Sequence, residues 1–271
     1  MEQIFFTCHL MGGLGNQMFQ IAHTISEGLK YNVPCVFRSY SFTPMQGNDT
    51  SKYVNNIFKK LNFDNNPQIK NTISESDFSY SPVIFDPSFS TEFYGYFQSS
   101  KYFNGFEEYI KNLFGPSDET VKILKEKYPQ INYENTLSIH VRRGDCLLHS
   151  HIHPVISEKY LKKSFNRIDS VSHVFVFSDD KEWVEKNLNY ENITFVNDED
   201  YEEIWLMSLC QNNIISNSTF SWWGSFLNRH NNKKVIAPSI WFGPNGPKNF
   251  KDVYEKNWDV VDVTYENGWL V

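Results

Sequence analysis

Short apolar runs alternate with amphipathic stretches along most of the 271 residues, and the regularity lapses once, between about residues 39 and 87. Residues 3–10 have the branched and aromatic content of a strand, residues 12–15 form a glycine-rich turn, and residues 17–31 place Phe19, Ile21, Ala22, Ile25 and Leu29 on one helical face. A second strand over 33–37 completes a β-loop-α-β opening, the signature of a wound parallel sheet. From 39 to about 87 the periodicity fades among Asn, Ser, Asp and Pro, as in long loops with short helices. Strands are then predicted over 136–141, 173–178, 193–196, 213–216 and 234–237, with helices over 122–128, 157–165, 181–188, 201–210 and 220–228. The pattern therefore describes two β/α halves that meet near residue 130.

Composition narrows the partners. A net charge of -7 argues against nucleic acid, because release of condensed counterions needs a basic surface. The aromatic share of 17% is high, which suits sugar-binding surfaces, although most of the rings must be core. Cys8, Cys35, Cys146 and Cys210 are far apart and form no C-x-x-C pair, so they are expected to be reduced. The first twenty residues carry Glu2 and His9, then turn glycine-rich, and lack the basic start and cleavage site of a signal peptide. No apolar run reaches the length of a spanning helix, so a soluble, cytoplasmic protein is expected, with peripheral membrane attachment left open.

The candidate chemistry lies in four strings. His140-Val141-Arg142-Arg143-Gly144-Asp145 ends a buried-type strand with two guanidinium groups, each a planar fork suited to phosphate. In open α/β sheets ligands bind at the carboxyl ends of strands, although a helix cap and a surface ion pair would also explain the two arginines. Gly12-Gly13-Leu14-Gly15-Asn16-Gln17 follows a strand and opens a helix; Gly13, Gly15, Asn16 and Gln17 are candidates to face a phosphate or sugar. Met18 stands where a dinucleotide fingerprint has its third glycine, so the alternative is a tight turn.

Asp179 and Asp180 end another strand, where one carboxylate could accept the paired N–H edge of guanine and the other cap the next helix. Asn217, Ser218, Thr219, Phe220 and Ser221 crowd hydroxyls and an amide before the helix over 220–228, more than capping alone requires. Two metal readings are weak: Asp198-Glu199-Asp200 sits where first-turn acids are ordinary, and His149, His151 and His153 lack an obvious fourth ligand. No metal site is expected.

Together, GGLGNQMFQ, HVRRGD and SNSTFSWWGSFL, supported by FVFSDD and GYFQSSKYF, resemble the α-1,2-fucosyltransferases of glycosyltransferase family 11. The resemblance implies an α/β, GT-B-like fold of two Rossmann-like parallel-sheet halves facing across a cleft. Residues 1–130 would form the acceptor side and 131–271 the GDP-sugar domain, with the final segment packing back on the N-terminal half. It also implies inverting, metal-independent and cofactor-free transfer of L-fucose from the donor substrate GDP-β-L-fucose to the 2-hydroxyl of a galactose-terminated glycan. By residue, it implies Arg142 on the β-phosphate, Arg143 in support, His140 and an acid of the Asp179–Asp180 pair near guanine, and Ser221 or its neighbours on the diphosphate. Asp145, beside two arginines, is expected to orient them rather than act as a base, and the base is left unassigned. The alternatives are a GDP-sugar transferase of other linkage or donor, and a non-catalytic GDP-sugar or glycan-binding module.

Overall fold

The opening pattern folds into a small parallel sheet. In the computed structural model, which describes residues 3–42 and 49–271, β1 (Phe6–Cys8) leads into α1 (Leu14–Tyr31). β2 (Asn71–Ser74) and β3 (Thr91–Tyr94) complete three parallel strands in the order β1-β3-β2, and α2 (Glu107–Phe114) follows. The predicted strand over 33–37 is reduced to isolated parallel bridges, Phe6 with Cys35 and Phe37 with Phe63. Pro34 explains this: its carbonyl accepts from Phe6 N–H, but without an N–H of its own it cannot extend a ladder. Residues 43–48, part of the stretch with fading periodicity, and residues 1–2 of the expected leaderless N-terminus lie outside the described residues.

Contacts divide the chain into two units, one running to Gly115 and including Lys251–Glu255, the other comprising Pro116–Phe250 and Lys256–Val271. The division falls earlier than residue 130, so α3 (Asp118–Lys127) belongs to the second unit. The local reason is that Asp198 of that unit accepts from both Lys127 Nζ and, at 2.8 Å, Tyr128 Oη. In the first unit, Lys101 Nζ and the Tyr80 N–H both donate to the carboxylate of Asp252, which ties residues 251–255 to it.

The second unit is a six-stranded, wholly parallel sheet built from β4 (Thr136–Val141), then, after a short β5 (Val155–Ile156) and α4 (Glu158–Phe165), β6 (His173–Ser178). It continues through α5 (Lys181–Asn187), β7 (Ile193–Phe195), α6 (Asp200–Leu209), β8 (Asn212–Ile214), α7 (Thr219–Leu227), β9 (Val235–Pro238) and β10 (Asp259–Val261). The spatial order is β10-β9-β8-β4-β6-β7. Beside it β11 (Tyr265–Glu266) and β12 (Trp269–Leu270) form a hairpin, and β12 pairs in parallel with β5.

Both faces of the central strands are covered, which is why β6 reads as a continuous apolar run. Val174 and Val176 join the core containing Leu137, Ile139, Val141, Tyr160 and Leu161, whereas Phe175 and Phe177 join one with Leu206, Met207 and Cys210. The helices follow local rules: Ser117, Ser157 and Ser218 cap α3, α4 and α7 through their side-chain oxygens. Among the described residues no helix is long and apolar enough to cross a membrane.

In the first unit, α1 buries His23 against the stacked ring of Phe97, 4.1 Å away, and the edges of Phe93 and Tyr102. Burial pulls the imidazole pKa down to about 3. His23 therefore binds a proton in the unfolded chain below about pH 6.5 but not in the fold, so its contribution to stability is lost as pH falls from there toward 3. Urea unfolding between pH 7 and 5 should show this, with His23→Phe reducing the pH slope by an amount that approaches about 1.4 kcal/mol per pH unit at the acid end.

Candidate functional site

Sheet topology locates the site. From β4 the chain winds through β6 to β7 on one side, and then returns to β8 and winds through β9 to β10 on the other. Connections leave β4 and β8 in opposite senses, so a crevice opens outside their carboxyl ends, the place where open α/β sheets bind ligands. Arg142–Asp145 follows β4 and 215–218 follows β8.

A buried polar ladder joins these two strands. The Gln211 N–H donates to Thr136 Oγ1 (3.0 Å), and Asn213 Nδ2 donates to Ser138 Oγ (2.6 Å). At the top, Ser216 Oγ lies 2.8 Å from His140 Nδ1 and 3.1 Å from the His140 carbonyl oxygen. One hydroxyl proton serves one acceptor; directed at the carbonyl, it leaves Nδ1–H as the donor to Ser216 and Nε2 as the unprotonated nitrogen. Burial, with Arg142 adding to it, lowers the His140 pKa to about 3, so the ring is neutral.

The two arginines behave differently. Arg142 is 30% exposed; its Nη2 donates to both carboxylate oxygens of Asp145 (2.8 and 3.0 Å) and its Nε to Cys146 Sγ (3.3 Å). Asp145 thus holds Nη2 of a guanidinium that remains partly exposed. Arg143 is 8% exposed and faces inward: Nε donates to Asp180 Oδ2 at 2.9 Å, and its backbone N–H donates to Asp179 Oδ1 at 2.7 Å. Its guanidinium carbon lies 4.1 Å from the ring centroid of Trp183 and 5.2 Å from that of Trp269. Each such cation–π contact contributes about 0.5–2 kcal/mol, more as water is excluded.

Asp179 and Asp180 are therefore both engaged with the arginine loop, and Asp180 in addition accepts the Trp183 N–H at 3.2 Å as the cap of α5. Gly144 is required by the same packing, since a Cβ there would come within 2.6 Å of Asp179 Oδ2. Nothing local in the sequence marks Trp183 or Trp269 for this site, whereas Ser216 stands in the string SNSTFSWWGSFL.

The hydroxyl-rich string is brought to the crevice, with most of its side chains turned onto protein. Asn217 Nδ2 donates to the carbonyls of Pro154 (3.0 Å) and Trp241 (3.1 Å). Ser218 Oγ accepts the Phe220 N–H, and the fully buried Ser221 Oγ contacts the Ser218 carbonyl at 3.4 Å. Thr219 opens α7, and Phe220 lies against His140 with ring centroids 5.3 Å apart.

The glycine-rich turn belongs to the first unit. Gly12, at φ +76, needs a residue without Cβ, and Gly13 is the N-cap of α1. Gly15, Asn16 and Gln17 therefore lie in the first turn of the helix, not on a loop. This differs from the predicted start at 17 because an extended glycine ends the loop where no capping side chain announces the helix. Gln17 Nε2 donates to the Gly12 carbonyl and Gln17 Oε1 accepts from Thr50, while Gln20 pairs with both backbone groups of Met11. The loop's amides thus hold its own backbone, and Asn16 Oδ1 accepts from Gln98 at 3.0 Å.

Two of the acids over 198–200 have local partners, Asp198 in Lys127 and Tyr128 and Asp200 in the Tyr201 N–H (3.0 Å), while Glu199 occupies the N-cap position of α6 without a side-chain cap bond. Burial pushes the carboxyl of Glu203, in the first turn of α6, up to about 8, with Asp198 and Asp200 adding to the shift. Among the described residues no group of three or more His, Cys, Asp or Glu side chains gathers as a metal set.

The profile described as Glycosyl transferase family 11 matches residues 1–262. The chain belongs to glycosyltransferase family 11. Within the family's reach it is 30% identical over 282 residues to an alpha-1,2-colitosyltransferase of Escherichia coli, covering 91% of this chain and 96% of that one. It is 26% identical over 151 residues to a galactoside 2-alpha-L-fucosyltransferase of Caenorhabditis elegans, covering 50% of this chain and 42% of the other. The structure of NodZ alpha-1,6-fucosyltransferase co-crystallized with GDP matches with a TM-score of 0.51 at 12% identity, over 84% of this chain and 93% of that one. The fold of this family 11 glycosyltransferase is thus α/β and GT-B-like, with parallel sheets in both units.

Asp180→Ala removes the charge partner of a buried arginine and the cap of α5 together, and should cost on the order of 3 kcal/mol in urea unfolding. Asp180→Asn, which keeps an acceptor for the cap, should cost less.

Proposed function

We propose that the chain transfers L-fucose from GDP-β-L-fucose to the 2-hydroxyl of a terminal β-galactoside, with inversion and without a metal ion. The observation that carries this reading is the partly exposed Arg142 guanidinium at the carboxyl end of β4, anchored by Asp145. Attack by the acceptor oxygen on C1 breaks the C1–O bond to phosphate and leaves the electron pair on GDP. A fixed cation aimed at that diphosphate lowers the barrier because it needs no reorganisation as the charge develops. Asp145 holds the guanidinium in aim, and Arg143, with Asp179 and Asp180, holds the backbone that carries it. His140 is neutral, and in the tautomer that donates Nδ1–H to Ser216 its Nε2 is an acceptor, which suits a guanine N–H better than a phosphate. The names of the Caenorhabditis elegans and Escherichia coli relatives, both transferases that form a link to a 2-position, support the regiochemistry.

A second donor is favoured by one observation, the 30% identity with an alpha-1,2-colitosyltransferase across 91% of the chain. Colitose is L-fucose without the 3-hydroxyl, so the same clamp would serve either nucleotide sugar.

The test is GDP release in EDTA from GDP-fucose and GDP-colitose, with and without lactose or N-acetyllactosamine, and NMR of the product. Acceptor-dependent release from GDP-fucose and an α-1,2 linkage are expected, with Arg142→Ala lowering kcat/KM by on the order of 10³. A loss smaller than about tenfold removes Arg142 from its role; turnover of GDP-colitose alone replaces the fucosyl reading with the colitosyl one.

A further inference from the structure

We propose that Trp269, in the last strand of the chain, is a positioning residue for the arginine loop: together with Trp183 it immobilises Arg143, and through Arg143 it sets the aim of Arg142. The proposal rests on the donor reading for what the loop binds, but not for how the loop is held.

Arg143 is poorly satisfied for a buried cation. Nε is paired with Asp180, yet Nη1 is buried without any hydrogen-bond partner. A guanidinium in that state gains by swinging toward water unless something compensates for the missing acceptor. The compensation visible around it is aromatic: the ring faces of Trp183 and Trp269. Trp183 is a local consequence of sequence, since it lies in the first turn of the helix that Asp180 caps. Trp269 reaches the same guanidinium from the other end of the chain and depends on tertiary pairing.

That pairing is specific. Trp269 stands opposite Val155 in the parallel β12–β5 ladder; the Val155 N–H donates to the Gly268 carbonyl (2.9 Å) and the Ser157 N–H to the Leu270 carbonyl (3.1 Å). β5 ends the connection that begins at Asp145, so β12 grips the far end of the arginine loop while Trp269 meets its near end. The turn that delivers the indole is pressed against the same connection: Gly268 has φ +96, and a Cβ there would lie 2.4 Å from Ser150 Oγ. Arg142 and Arg143 share a peptide bond, so a released Arg143 disturbs Arg142 directly. Trp269 itself is only partly buried, which limits what it contributes as core.

Three variants of the full chain separate the possibilities. Trp269→Ala removes the ring, Trp269→Leu keeps apolar bulk without a ring face, and Trp269→Phe restores a smaller face. The readouts are the Arg143 Nε–Hε NMR signal, identified by its disappearance in Arg143→Lys, GDP affinity by calorimetry, and kcat and KM with the donor sugar. We expect ring currents to displace the wild-type signal, the displacement to shrink in the Ala and Leu variants, and GDP affinity in both to fall about tenfold. In turnover kcat should fall along with the affinity, and the Phe variant should recover most of each loss. The proposal is overturned if the Arg143 signal does not respond to Trp269, if the Ala variant binds GDP within about twofold of wild type, or if Leu restores binding as well as Phe does. Absence of GDP binding by wild type would overturn the donor reading instead, and the Arg143 signal would still decide whether Trp269 holds the loop.

Discussion

The second unit depends on the hydrogen-bonded ladder between β4 and β8. Thr136, Ser138 and His140 occupy one face of a strand whose other face is wholly apolar, and each would be costly to bury alone. Bonds to Gln211, Asn213 and Ser216 offset that cost only in one register, since a slip of one residue would leave all three without partners. The constraint falls at the point where strand order reverses. It therefore fixes not only the sheet but also the relation between the arginine loop after β4 and the start of α7 after β8.

From that base the arginine loop is built in layers. Asp179 takes the Arg143 backbone N–H, Asp180 its Nε, and Gly144 lets the chain pass close to Asp179. One arginine is thereby committed inward, which leaves the other free to project with Asp145 along one edge. Two adjacent residues of the same type thus differ in burial and partners, Arg143 packed inward on Asp180 and Arg142 partly exposed beside Asp145.

Much of this was legible from sequence where the signal is local. The strand over 136–141 reads from its apolar alternation and the glycine after it, and the helices capped by Ser157 and Ser218 read to within a residue, whereas the one capped by Ser117 begins four residues before its predicted start at 122. The start of α1 did not, because Gly13 caps it without a side chain; nor did the loss of the strand over 33–37, where Pro34 interrupts a ladder whose composition otherwise suits it. The two tryptophans on Arg143 illustrate a different limit. Trp183 looks like any half-buried helix residue and Trp269 like the end of a chain, and only the folded structure brings both to one guanidinium. The sequence leaves open which of Asp179 and Asp180 caps the helix; geometry gives the cap to Asp180, which is also the counter-charge of Arg143.

Residues 251–255 belong to the first unit, although the chain immediately before and after them belongs to the second. Asp252, by accepting from Lys101 and Tyr80, is what commits this short excursion. The polypeptide therefore changes unit three times, after Gly115, after Phe250 and after Glu255. A chimera between family members that exchanges one half at a single junction would leave Lys101 facing a foreign residue at 252. Recombination that respects the fold must carry the pentapeptide with the N-terminal half, so an exchange of halves takes three junctions and not one.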